Sequence, residues 1–295
     1  MAIPRGHEMF GKINVYDPEG GKKRVEIYIR LNQTVEGMRV GIAVDGSASM
    51  LQPVFAAHIP KFIRPPGANV AEPVVRALGA YVCQYSGDGQ MHFIYWATGP
   101  GGQQVEPVGA VTAEMCAALE VEGPKAWGTG TQLLPAISYY MTEFADAKWA
   151  FVLFVTDGVI EDMEAVKARC LEVGQEMVDG KRGKCKFVIV GIGEADPEQL
   201  EELDNMFEGT DLEGDVDLWD AKEAAEMREL TEIWDEVDFG ITLPGSARIT
   251  DSSGNQVASW ADGFPQKMEF EVVESVSSVR IEIGGMTIEQ SLVDE

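Results

Sequence analysis

Three oxygen-bearing side chains stand at alternate positions in the segment Asp-Gly-Ser-Ala-Ser-Met. They are Asp45, Ser47 and Ser49, and they directly follow the apolar run at residues 40–44. At this spacing in a turn, three side chains can point in one direction. One carboxylate with hydroxyls and waters is the hard, sparsely charged ligand set that magnesium prefers. The pattern therefore predicts a magnesium site, in which manganese or calcium could take the same ligands.

Two further segments carry similar chemistry. Asp157 follows the apolar run in Phe-Val-Leu-Phe-Val-Thr-Asp-Gly, and Thr129 and Thr131 lie in the turn Trp-Gly-Thr-Gly-Thr-Gln-Leu. Each segment has an ordinary structural interpretation, since Asp is common at strand ends and Thr in a glycine turn usually caps a helix. The three segments together favour a metal site over a structural Asp45 whose neighbouring hydroxyls only cap a turn.

The elements that must position these residues alternate along the chain. Nearly continuous apolar runs predict buried strands at residues 40–44, 92–97, 149–156 and 186–191. Apolar residues at helical spacing predict helices over 70–84, 132–144, 161–178, 197–207 and 220–237. Strands alternating with helices indicate a doubly wound, mostly parallel α/β sheet, with an antiparallel edge hairpin at residues 97–108. Such sheets bind ligands at the carboxyl ends of their strands, where Asp45 and Asp157 lie.

The two ends of the chain have a different pattern. Residues 12–31 predict two short strands, and residues 247–288 predict three more with Ser-Gly-Asn and Gly-Phe-Pro turns. A two-stranded hairpin alone is marginal in water, so the economical arrangement is one small β-sandwich made by both ends. Two separate hairpin appendages remain the alternative. The predicted organisation is an N-terminal hairpin at 1–36, an α/β domain at 37–239 and C-terminal strands at 240–295.

The middle of the chain, from residue 38 to 238, resembles the von Willebrand factor A (VWA) domain. That family's metal-ion-dependent adhesion site combines a D-x-S-x-S strand end, a loop threonine and a T-D-G strand end. The matching residues here are Asp45, Ser47, Ser49, Thr131 and Asp157. Thr131 is favoured over Thr129 because Gly-Thr-Gln-Leu-Leu-Pro-Ala-Ile is similar to the family's G-T-x-L-x-x-A-I run. The proline-rich segment 51–69 and the acidic, glycine-bearing turn with its aromatic strand at 85–96 (YSGDGQMHFIYW) are loosely similar to the intracellular branch of copines and tellurium-resistance-associated proteins.

This resemblance implies a Rossmann-like VWA sheet and a metal-dependent interaction module. Ser47, Ser49 and Thr131 would bind the ion directly, whereas Asp45 and Asp157 would act mostly through waters. The ion would keep an open position for a Glu or Asp of a protein partner. Proteins of this class often work beside ATPases or stress-response products, so a scaffold or a subunit of such an assembly is expected.

Two other classes of function compete with this hypothesis. A magnesium-dependent phosphotransfer or hydrolytic enzyme is disfavoured, because dehalogenase-type sites need a second Asp at the position of Ser47. The three histidines also lie in poor contexts for a catalytic triad. We therefore expect no enzymatic activity. The third class is a structural subunit whose metal only stabilises the fold.

The charge of the chain limits its partners. There are 49 acidic and 23 basic residues, for a net charge of −26, which argues against nucleic acid and anionic membrane surfaces. Most of the excess lies between residues 194 and 238, with 19 acidic and two basic residues, and this acidic face could dock a basic partner. No apolar run predicts a transmembrane segment or a secretory signal. Four cysteines without metal spacing fit a reducing cytoplasm.

Overall fold

The computed structural model describes residues 3–4, 6–30, 34–192, 195–223 and 241–293. The chain divides into two compact units. The central unit comprises Gln33–Leu230, and the terminal unit combines Met1–Asn32 with Thr231–Glu295. The boundaries predicted from the sequence lie after residues 36 and 239.

The described residues form fifteen strands and five α-helices. The strands are β1 (Phe10–Val15), β2 (Lys22–Ile29), β3 (Met38–Asp45), β4 (Gln90–Thr98), β5 (Gln104–Thr112), β6 (Trp149–Thr156), β7 (Lys184–Gly191), β8 (Trp219–Glu223), β9 (Thr242–Leu243), β10 (Ala247–Asp251), β11 (Gln256–Trp260), β12 (Phe264–Pro265), β13 (Lys267–Val273), β14 (Ser278–Ile283) and β15 (Met286–Ser291). The helices are α1 (Ala71–Cys83), α2 (Ala113–Cys116), α3 (Leu134–Glu143), α4 (Met163–Val178) and α5 (Pro197–Asp204).

The central unit contains a six-stranded mixed sheet in the order β5-β4-β3-β6-β7-β8. Strands β4, β3, β6, β7 and β8 are parallel, and β5 pairs antiparallel with β4 at one edge. Every residue of β6 is buried, as its unbroken apolar run requires. Aromatic side chains fill the core beside it, among them Phe154, Phe187 and Trp219. The parallel pairing brings the carboxyl ends of β3 and β6 to the same edge of the sheet.

The terminal unit is made of antiparallel strands from both ends of the chain. Its sheets have the orders β1-β2-β13, β11-β10-β14-β15 and β12-β9. Strand β2 pairs with β13 over seven positions, so the N-terminal and C-terminal segments share one sheet. Buried and exposed residues alternate along β13, and the inward residues of two sheets join one hydrophobic core that includes Phe10, Ile27, Phe270 and Ile281.

The α/β class predicted for the chain is wrong. Strands make up 36% and helices 21% of the structure, and nine of the fifteen described strands lie in antiparallel sheets. The prediction gave too much weight to the four continuous apolar runs, which are easy to recognise. The shorter alternating segments near the ends contribute more strands than expected, and they make the fold β-rich.

The helix predicted over residues 220–237 is wrong at its start. Residues Trp219–Glu223 form β8, which pairs parallel with β7. Trp219 is buried, and Asp220 forms a buried ion pair with Lys186 of β7 at 3.2 Å. This cross-strand pairing outweighs the local helical spacing. The rest of the predicted helix, with its proposed inner-face residues, lies outside the described residues: Met227, Leu230, Ile233, Trp234 and Val237.

Candidate metal centre

Asp45 is the last residue of β3, and its side chain is fully buried. Its Oδ1 accepts a hydrogen bond from the backbone amide of Ser47 at 2.7 Å. Its Oδ2 accepts one from the Thr156 hydroxyl, at the end of β6, at 2.6 Å. The two neighbouring strand ends therefore hold this carboxylate between them.

The two serines connect Asp45 to Asp157. The Ser47 and Ser49 hydroxyl oxygens lie 2.9 Å apart, and the Ser49 hydroxyl donates to Asp157 Oδ1 at 2.8 Å. Ser47 and Asp157 are buried, whereas Ser49 is exposed. The group is therefore reached from solvent at Ser49.

Thr131 completes the group, as the position of Gly158 shows. A β-carbon built on Gly158 would lie 3.5 Å from Thr131 Oγ1, 3.7 Å from Ser49 Oγ and 3.8 Å from Asp45 Oδ2. Oxygens from two separate segments, the Asp45 turn and the Thr131 turn, thus lie around one point beside a third segment at Gly158. We call the five side chains that the structure brings together here the oxygen cluster: Asp45, Ser47, Ser49, Thr131 and Asp157.

The two candidate threonines of the glycine turn have different environments. Thr129 Oγ1 accepts a hydrogen bond from the backbone amide of Gly101 at 2.8 Å, so it stabilises the neighbouring turn. Thr131 is buried and places its hydroxyl near Gly158. The geometry therefore assigns Thr131, and not Thr129, to the cluster.

Close backbone contacts hold the Asp45 turn against the Thr131 turn. The Gly128 amide donates to the Gly46 carbonyl, and the Ala48 amide donates to the Gly128 carbonyl, both at 2.9 Å. A β-carbon on Gly128 would overlap the Ala97 carbonyl oxygen, and one on Gly46 would lie 2.7 Å from a Pro124 side-chain carbon. Both positions require glycine because the chains approach so closely.

Thr156 and Asp162 also shape the site, and neither was predicted from the sequence. Thr156 is fully buried, and besides donating to Asp45 it accepts from the Gly158 amide at 3.1 Å. The Asp162 carboxylate accepts from the amides of Leu133 and Leu134, at 2.8 and 2.9 Å, where α3 begins. Thr156 had a visible signal, a hydroxyl ending an apolar strand. Asp162 had none, because its partners lie 28 and 29 residues away.

The electrostatics of the cluster leave a negative charge unbalanced. Burial raises the pKa of Asp45 to about 6, although hydrogen bonds from Thr156 and Ser47 oppose the rise, and the nearby Asp157 adds to it. No ion pair joins Asp45 to a basic side chain in the described part of the chain. A bound cation would compensate this charge.

The donor set suits one kind of ion. Among the described ranges, no group of three or more His, Cys, Asp or Glu side chains is arranged to hold a metal. The oxygen cluster instead offers two carboxylates and three hydroxyls, which are hard ligands suited to magnesium, manganese or calcium and not to zinc. The space beside Gly158 faces three of these oxygens, so the residues fit a small hard cation.

Comparisons with known proteins identify no family. No family model and no curated protein matches the chain. Among solved structures, the chain is similar to the pilus adhesin SpaC from Lactobacillus rhamnosus GG in its open conformation. The two share 11% sequence identity with a TM-score of 0.42, over 96% of this chain and 47% of that chain. The chain thus spans about half the length of that structure.

The prediction of a VWA-domain protein related to copines and tellurium-resistance-associated proteins is wrong. No family model matches the chain, and the fold is β-rich. The motifs that suggested the family are short. Asp, Ser and Gly recur together in turns because they stabilise turns.

Two other predictions concern the surroundings of the protein. In the described residues, no helix is long and apolar enough to cross a membrane. The acidic face predicted over residues 194–238 is described only in part, from 195 to 223. Within that part, Asp217 and Asp220 pair with Lys186, and Glu202 pairs with Lys167. A basic partner for this face stays a prediction.

Proposed function

We propose that the protein binds a divalent cation, magnesium by preference, through Asp45, Ser47, Ser49, Thr131 and Asp157. The observation that carries this proposal is the convergence of three oxygens, from the Asp45 turn and the Thr131 turn, on the space beside Gly158. The charge on buried Asp45 supports it, because no described basic side chain forms an ion pair with it. When bound, the ion would supply a positive charge with exchangeable coordination positions.

We further propose that the bound ion captures a carboxylate from a protein partner. Ser49 is the exposed member of the cluster, so a ligand from outside would approach at this side. Five protein oxygens that include only two carboxylates leave the ion electrophilic, which favours one more anionic ligand. The protein would then act as a metal-dependent interaction module.

The proposal is of binding, not catalysis. Ser47 occupies the position where a dehalogenase-type phosphotransferase needs a second Asp, and its hydroxyl lies 2.9 Å from that of Ser49. A cytoplasmic location is part of the proposal. All four cysteines are buried and free of disulfides, as expected in a reducing compartment. A role as a scaffold or subunit of a larger assembly remains a prediction.

Two matched substitutions in one turn test the ion site. Thr131→Val removes a cluster hydroxyl at nearly constant volume, and Thr129→Val removes a hydroxyl that contacts Gly101 instead. Manganese binding, followed by the EPR signal of the free ion, should weaken at least about tenfold in Thr131→Val. It should be unchanged in Thr129→Val. Absence of binding by the wild type, or equal weakening in both variants, would refute the proposed site.

Capture of a carboxylate is tested with small probes. Acetate added to the manganese-loaded protein should displace a water from the ion and lower the water-proton relaxation rate. Acetamide, which has a similar shape but no charge, should not. If both probes leave the relaxation rate unchanged while manganese stays bound, the metal only stabilises the fold, as the structural alternative requires.

A further inference from the structure

The loop at residues 157–162, which we name the Asp157 loop, affects two cluster ligands. It begins with Asp157 itself. Its Glu161 amide donates to the Thr131 carbonyl at 3.0 Å, and its last residue, Asp162, binds the start of α3. A displacement of this loop would therefore move the oxygens of both Asp157 and Thr131.

The side chain of Gln199, on α5, holds the middle of the Asp157 loop. The Gln199 side chain of α5 accepts a hydrogen bond from the Ile160 amide at 2.7 Å and donates one to the Ile160 carbonyl at 3.0 Å. A primary amide has one donor group and one acceptor, so Gln199 satisfies both backbone groups of Ile160 together.

Gln199 is itself well placed by its helix. Pro197 is the first residue of α5, and the Asp196 side chain caps the helix by accepting from the Glu198 amide at 3.0 Å. Leu200 is buried in the core of the central unit. The backbone that carries Gln199 is thus fixed at the helix start and at the neighbouring residue.

We infer that Gln199 is a positioning residue for the ion, an inference that rests on the proposed function. Gln199 acts through Ile160 and does not touch the ion. By fixing the Asp157 loop it sets the distance between the Asp157 and Thr131 oxygens, and a metal site depends on such outer contacts. A purely structural role would lower the stability of the fold without changing the affinity of the folded protein for the ion.

The test compares single substitutions of two glutamines in the 295-residue chain. Gln199→Met removes both hydrogen bonds at similar volume. Gln175→Met is the matched control, because Gln175 is exposed and its described side-chain hydrogen bond goes to Asp179 on the surface of α4. We expect Gln199→Met to bind manganese about tenfold more weakly than the wild type. Hydrogen exchange at Ile160 should accelerate in the same variant, and the control should match the wild type in both measurements.

The outcomes separate the two proposals. If the wild type and Gln199→Met bind manganese equally, the positioning role is wrong and the proposed ion site stands. If the wild type binds no manganese, both are wrong. Unchanged exchange at Ile160 would also overturn the role of Gln199, whatever the affinity. Should Gln199→Met fail to fold, Gln199→Glu keeps the acceptor for the Ile160 amide, and the same measurements apply to it.

Discussion

Two buried carboxylates, one in each unit of the protein, have opposite surroundings. In the terminal unit, Glu26 of β2 lies 3.0 Å from Lys267 Nζ and 3.2 Å from a nitrogen of Arg24. Its Oε2 also accepts from the Tyr16 hydroxyl at 2.8 Å. Burial alone would raise the pKa of Glu26, but the hydrogen bonds from Lys267 and Tyr16, together with the positive charges of Lys267 and Arg24, hold that pKa below its usual value.

In the central unit, no basic side chain among the described residues forms an ion pair with Asp45. Its described hydrogen bonds come from the Thr156 hydroxyl and the Ser47 amide, and Asp157 adds a second negative charge nearby. Burial dominates and raises its pKa to about 6.

The difference distinguishes a structural carboxylate from one available to a ligand. Where the chain supplies its own cations, as around Glu26, the buried charge is already compensated and contributes to the fold. Around Asp45 no described basic side chain forms an ion pair, and the space beside Gly158 is where we propose that a cation binds. A functional site commonly costs stability in this way, because its groups are arranged for a ligand.

The largest effect is expected from removing the ion pair between Lys267 and Glu26. Lys267→Met leaves Glu26 buried without its nearest cation and should lower the free energy of unfolding by about 3 kcal/mol, as measured by urea denaturation. Lys22→Met is the control, because the pair of Lys22 with Glu271 is exposed at both ends. That variant should lose less than about 1 kcal/mol. Equal losses in the two variants would show that the buried pair of Lys267 and Glu26 stabilises the fold no more than the exposed pair of Lys22 and Glu271 does.

A smaller effect, with opposite signs in the two units, is expected from neutralising the carboxylates themselves. In the presence of a chelator, Asp45→Asn should equal the wild type in stability or exceed it by about 1 kcal/mol, since an uncompensated buried charge is removed. Glu26→Gln should lose about 2 kcal/mol, because it leaves Lys267 without its partner. Urea denaturation of the wild type and both variants measures these differences in unfolding free energy. A loss in Asp45→Asn as large as that in Glu26→Gln would contradict the comparison.

The smallest effect concerns pH. Because the pKa of Glu26 is lower in the folded protein than its usual 4.5, the unfolded chain binds the proton more tightly. The stabilisation by this carboxylate is therefore present above the usual pKa and is lost as the pH falls toward the folded pKa. The difference in unfolding free energy between wild type and Glu26→Gln should narrow from pH 7 to pH 3.5. A constant or wider difference would show that Glu26 is not stabilised as an anion.

The positions of individual elements were more predictable from the sequence than the class of the fold. The apolar run at 149–156 coincides with β6, because a strand buried on both faces must be apolar throughout. The region that begins at residue 219 shows where prediction from local spacing fails. Helical spacing suggested a helix there, but the pairing of Asp220 with Lys186 places it in a strand. That partner lies 34 residues away in the chain, where local spacing carries no information about it.

The oxygen cluster was predictable because apolar runs in the sequence also mark the strands that carry its two carboxylates. Asp45 and Asp157 each follow an apolar run, and the carboxyl ends of parallel strands meet at one edge of a sheet. The role of Gln199 could not be predicted, because it depends on hydrogen bonds to Ile160, which lies 39 residues earlier in the chain. Nothing around Gln199 in the sequence distinguishes it from a surface glutamine such as Gln175.

By itself, the sequence determined which residues end buried strands and which of them carry oxygen, because these features depend on neighbours a few positions away. Only the tertiary structure decided that Gln199 reaches Ile160, that Glu26 meets Lys267, and that Asp45 has no described basic partner. Burial and charge compensation depend on groups distant in the chain. They are therefore set by sheet order and loop contacts, which the local pattern does not contain.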